Sequence, residues 1–198
     1  MREITQLLQD VLDYQQNWSV VRAANLLYRH LVVFARDDGS FEVIDGQQRF
    51  TTLSLLANWL KHHAIDSVDM SWYQTINLAF ESRPISSHTF ERLWQVLPLR
   101  FAGSTFNEGL VNGFELIDKA MADLGLVGAK LTAFCDYLFK HVQISRIEVP
   151  KDTDLNHFFE AINNRGEQLE KHEVIKARLM ETLNQIPRKS IVAKVFIS

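Results

Sequence analysis

Apolar side chains recur every three or four positions in ITQLLQDVLDY. Ile4, Leu7, Leu8 and Val11 share one face there and predict a first helix. The spacing in SVVRAANLLYR, Ser19–Arg29, predicts a second, short helix. The pattern then changes. Leu31–Phe34 and Phe41–Ile44 are runs rich in β-branched and aromatic residues, separated by Asp37, Asp38 and Gly39, and predict a hairpin. Asp45-Gly46 closes the second strand. A helix is predicted from there to about His63, with Phe50, Leu53, Leu56, Ala57 and Leu60 as its buried stripe. FEVIDGQQRFTTLSLL is therefore strand, tight turn and helix.

Further on, helical patterns cover Ser87–Leu97, Ser104–Leu124 and Ala129–Val142, the last carrying Leu131, Phe134, Leu138 and Val142 nearly in register. Alternation over Val142–Val149, ended by Pro150, predicts a third strand. Leu155, Phe158, Phe159 and Ile162 mark a helix that Thr153 or Asp154 can cap and that Asn163, Asn164, Arg165 and Gly166 break. A final helix turns Ile175, Leu179 and Leu183 inward, and the apolar tail SIVAKVFIS reads as a strand in need of a partner or as a cut end. The whole is α+β and predominantly helical.

Composition narrows the function classes. Hydrophobic residues make up 46% of the 198 and charged residues 23%, an ordinary globular balance with enough chain for a sizeable core. A net charge of -3 argues against binding nucleic acid through bulk positive charge, though not against a local basic groove. The single cysteine, Cys135, lies in the apolar setting LTAFCDYLF and reads as a buried structural thiol. One cysteine cannot staple a secreted fold, so a cytoplasmic setting is expected. No apolar run reaches the roughly 18 residues of a membrane helix, and the mixed, acidic N-terminus is unlike a signal peptide.

The turn between strand and helix is where the candidate chemistry lies. A helix N-terminus leaves backbone N–H groups unpaired and carries partial positive charge, which suits an anion. Gly46 lets a phosphate approach the backbone. Arg49 offers a forked donor, and Thr51 and Thr52 offer hydroxyls within reach of the first turn. Asp45 can cap the helix or hold Mg²⁺ directly or through water. Gln47 or Gln48 can orient a water or read a nucleotide edge. The plainer account also stands: Asp-Gly is a common turn, Asp45 only caps, and Arg49 pairs with a carboxylate. GLVGAKLT, Gly125–Thr132, lacks the spacing of a P-loop and reads as a loop entering a helix.

VIDGQQRFTTL and FFEAINNRGEQLEKHEVIKARL together resemble the ParB-like, DGQQR-type NTPase domain of modification-dependent restriction systems. This is the N-terminal domain type of GmrSD-like and phosphorothioate-sensing SspE-like antiphage proteins. Both motifs occur in the right order, and the likeness runs from about Ile4 to Leu183. It implies a small ParB/sulfiredoxin-like mixed sheet core with a helical lobe. The core with its DGQQR motif would span residues 1–65 and the lobe 66–141. A strand and the INNRG helix pair, 142–185, would pack back on the core, and a tail would fill 186–198.

The resemblance implies that the motif binds a nucleoside triphosphate with Mg²⁺ and supports its hydrolysis. Asp45, Gln48 and Arg49 would carry the catalytic part, with Asp45 toward the metal. Gly46, Gln47, Arg49, Thr51 and Thr52 would bind the nucleotide, and Asn163, Arg165 and Gly166 would close the site. Lys176 matches the family's VIK pattern but reads equally as a solvated helix lysine. Members usually open with a segment like P-x-Y-Q-R-x-Y-x-W, expected to supply a core strand; here Met1 leads straight into the first helix, and YQQNW, Tyr14–Trp18, follows that helix. Fused members also carry an HNH-type nuclease, whose metal is held by paired histidines and an asparagine. The seven histidines here form no such set, and His62 and His63 read as a solvated helix end.

An NTP-hydrolysing regulatory module lacking its own nuclease is therefore expected, with DNA and an HNH-type nuclease domain or subunit as partners. The alternatives are a non-hydrolysing sensor of nucleotide or modified DNA, and an inactive remnant completed by a partner chain. Homo-oligomers through an uncovered sheet edge fit the last.

Overall fold

A computed structural model describes residues 2–17, 26–64, 68–95 and 105–155. Their order is α1 (Arg2–Asn17), β1 (Leu26–Ala35), β2 (Phe41–Asp45), α2 (Gln47–His63), α3 (Pro84–Gln95), α4 (Glu108–Asp123), α5 (Ala129–His141) and β3 (Val142–Glu148). The strands form one mixed sheet in the order β2-β1-β3. The fold is α+β and predominantly helical, as the pattern predicts. The chain divides into two compact units, one built on Met1–Tyr28 and Gln48–Ile144, the other on Arg29–Gln47 and the described residues from Ser145.

In the first unit, the predicted face of α1 is buried: Ile4, Leu7, Leu8 and Val11 all join the core. The expected stripe on α2 needs correction. Leu53, Leu56, Ala57 and Leu60 are buried, but so is every residue from Thr52 to Leu60, while Phe50 is only half-buried. A helix enclosed on all sides has no solvent stripe, and side chains from α1, α3, α4 and α5 share its cluster. Glycine makes room for one of these neighbours. A Cβ at Gly113 of α4 would stand 3.0 Å from Leu55 Cδ1 and 3.7 Å from Ile4 Cδ1.

Enclosure brings polar groups inside; some are paired, while Ser54 Oγ and Asn58 Nδ2 are buried without a hydrogen-bond partner among the described residues. The Tyr73 hydroxyl donates to Asn58 Oδ1 at 2.7 Å, and burial pushes that phenol up from its ordinary value. Trp59 Nε1 donates to Asp118 of α4 at 2.9 Å. At the C-terminal end of α2, Lys61 Nζ donates to the Trp94 carbonyl at 3.0 Å and lies 4.1 Å above that indole. His62 Nε2 bonds the Leu93 carbonyl at 3.0 Å. The last turn of one helix thus satisfies carbonyls that end another. The expected solvated end is corrected accordingly: His62 is half-buried against α3, and exposed His63 stacks on Trp59 at 4.5 Å.

Asn107 begins α4 by accepting from the Leu110 N–H at 3.1 Å, while its own amide donates to Ser86 of α3 at 2.8 Å. Cys135 is buried on α5, and burial pushes its thiol up to about 12, as suits a structural cysteine.

The second unit carries the hairpin. Arg36 N–H donates to Ser40 O at 2.9 Å, Gly39 turns with φ 85°, and Asp38 accepts from Ser40 N–H at 2.8 Å. Arg36 bridges to Glu42 at 2.9 Å, and Arg146 of β3 lies 4.5 Å above the Phe41 ring. The helix expected over Ser19–Arg29 is corrected where it is described, because Leu26–Arg29 are the start of β1. β1 is the middle strand of the sheet, and the apolar run from Leu26 continues through Leu31–Phe34 with no breaker to end a helix.

Two tests follow from the enclosed helix. Leu60→Ala should destabilise the protein by about 2–5 kcal/mol in chemical denaturation. For His62, burial is the main cause that holds the imidazole below its ordinary value, with Lys61 and His63 adding to it. The unfolded chain then binds that proton more readily than the folded one. Stability should fall as pH drops from about 7 through the folded value and level off below it. In His62→Gln, which keeps an N–H donor for Leu93, that part of the pH slope should vanish.

Candidate functional site at the strand–turn–helix

The DGQQR segment sits where the sequence pattern predicts. Asp45 is the last residue of β2, Gly46 is the turn, and Gln47, Gln48 and Arg49 open α2. The register of β1 and β2 slips just before it: Val33 faces Val43, yet Val32 faces Asp45. Ile44, buried, is the extra residue on β2. Such bulges bend a strand and re-aim the side chains after them. Gly46 is buried with φ 90°, a backbone conformation that favours glycine.

Along the segment, exposure differs residue by residue. Asp45 and Arg49 are half-buried, and each already has an interaction in this structure. Gln47 and Gln48 are exposed. Gln47 Nε2 donates to the Val43 carbonyl at 2.9 Å, so its side chain folds back on its own strand. Thr51 is half-buried, whereas Thr52 is 8% exposed and belongs to the enclosed stretch of α2. The unit boundary falls between Gln47 and Gln48. Sequence reasoning missed the Gln47 bond, because the direction of the Val43 carbonyl has no signature in the sequence.

Asn163, Arg165 and Gly166 of the second motif lie outside the described residues, as do Lys176 and the tail. Among the described residues no group of three or more His, Cys, Asp or Glu could hold a metal ion. Among them, too, no helix is long and apolar enough to cross a membrane.

This strand–turn–helix, on a predominantly helical α+β fold, is carried by a chain whose residues 1–180 match the family described as the GmrSD restriction endonuclease, N-terminal domain. The chain belongs to that family, and so to the components of restriction and antiphage systems. No curated protein and no solved structure matches it.

The turn geometry has a measurable cost. Gly46→Ala and Gly39→Ala each put a Cβ at positive φ and should each lose on the order of 1–2 kcal/mol in thermal or urea unfolding. If the motif is the ligand site, only Gly46→Ala should also change ligand affinity.

Proposed function

We propose that this chain is the nucleotide-binding, NTP-hydrolysing regulatory module of a modification-dependent restriction system. The observation that carries the reading is the placement of Asp45-Gly46-Gln47-Gln48-Arg49 at a strand–turn–helix in a chain of the GmrSD N-terminal family. The first N–H groups of α2 offer donors to phosphate oxygens, and Gly46 at the turn adds no side chain of its own beside them. Arg49 is proposed to stabilise charge on the transferred phosphoryl group, and Gln48 to orient the attacking water. Thr51 is the better placed of the two threonines to add a hydroxyl, since Thr52 is buried. Asn163, Arg165 and Gly166 are proposed to complete the nucleotide site.

Mg²⁺ is proposed as the companion ion. One carboxylate, Asp45, ends the strand, and Mg²⁺ is commonly held by one or two carboxylates plus substrate phosphates instead of a protein cage. The donor set therefore fits an ion that arrives with the nucleotide, where it would neutralise phosphate charge. In the cell the module is proposed to act in the cytoplasm, with DNA and an HNH-type nuclease domain or subunit. Control of cutting would be its role, and cutting itself the nuclease's.

Phosphate release with Mg²⁺ and each of the four common NTPs tests the reading. Turnover should be measurable in the wild-type chain and should fall by about 10²–10³ in Arg49→Ala. Binding in calorimetry without any turnover would make the chain a nucleotide sensor. Neither binding nor turnover from folded protein would sink the proposal.

A further inference from the structure

The paired glutamines of the motif are chemically unequal. Val33 O accepts from the Val149 N–H at 2.8 Å, so Val33 turns its peptide groups toward β3. In an antiparallel pair, a residue's N–H and C=O point the same way, and the residue opposite then points its own groups outward. Val43 is opposite Val33. Its carbonyl therefore points away from β1, on the side where the sheet order places no further described strand. Gln47 Nε2 donates to that carbonyl at 2.9 Å.

The bond closes a five-residue loop, Val43 to Gln47, around the bulged Ile44, Asp45 and the positive-φ Gly46. Bulges and left-handed turns have weak ladders of their own. A side chain that ties the two ends together is what keeps such a loop in one shape. Gln48, also exposed, makes no comparable bond among the described residues.

We infer that Gln47 is a positioning residue: its amide caps the outward carbonyl of Val43 and so holds Asp45 and Gly46 in the shape that presents them to a ligand, while Gln48 is the glutamine left to touch that ligand. This rests on the nucleotide reading above for the ligand but not for the capping bond. The division of labour has a physical basis. A glutamine amide spent on a backbone carbonyl has one N–H and its oxygen left, and its rotamer is no longer free to follow a substrate.

The test uses the whole chain and a readout that needs no ligand. Gln47→Met keeps the length and removes the donor. Backbone amides over Ile44–Gln48 should then exchange with deuterium about three- to tenfold faster in the nucleotide-free protein. Gln47→Lys restores a donor and should bring exchange back toward wild type, and Gln48→Met should leave it unchanged. With nucleotide, Gln47→Met should weaken ATP, GTP, CTP and UTP by one common factor. Unchanged exchange in Gln47→Met, no rescue by Gln47→Lys, or a loss confined to one base would each overturn the inference. A wild-type chain that binds none of the four overturns the nucleotide reading instead, and the exchange result still decides the capping role.

Discussion

The enclosure of α2 is the constraint on which the first unit's polar contacts depend. From Thr52 to Leu60 no residue reaches solvent freely, so each neighbour must offer a surface that fits a cylinder on all its sides. That demand explains Gly113, where α4 gives up a side chain so that Leu55 can approach it. It also explains why so many of the polar contacts run to α2. A buried helix cannot leave Asn58 Oδ1 or Trp59 Nε1 to water, so Tyr73 and Asp118 are placed to meet them.

The same enclosure separates the two ends of α2 by chemistry. Its C-terminal turn is bonded to carbonyls: the Lys61 ammonium and the His62 imidazole close the last turn of α3. The Lys61 ammonium beside two partially negative helix C-termini makes this favourable as well as sterically convenient. Its N-terminal turn carries the exposed glutamines Gln47 and Gln48 and the half-buried Arg49. The end that finishes the fold and the end that carries the motif are thus different ends of one rigid rod.

Much of this was legible in the sequence. The hairpin, the start of α2 at the Asp-Gly pair, the face of α1 and the third strand all follow from period and turn chemistry. What was not legible depends on partners far away in the chain. Leu26–Arg29 have a spacing that also suits a helix, and only their continuation into the paired strand β1 decides for strand. The burial of Ser54 and Asn58 cannot be read from polar residues that look solvent-facing. His62 looked like a solvated end because its partner, the Leu93 carbonyl, is a backbone group with no sequence signature. At the candidate site, the motif's position was readable from local pattern. The Gln47 bond was not read, because it needs the direction of the Val43 carbonyl, which is set by how β1 pairs with β3.

One consequence of the enclosed rod concerns phase. Each residue of an α-helix advances the side-chain direction by about 100°. Because Thr52–Leu60 are locked all round, an inserted or deleted residue between Arg49 and Leu53 could not be absorbed by turning the buried part. It would instead swing Gln48 and Arg49 about the helix axis while the core stayed in place. The interval from motif to core is thus a fixed angular setting, and chains that keep the enclosed helix can vary the letters of the motif more readily than its distance from Leu53.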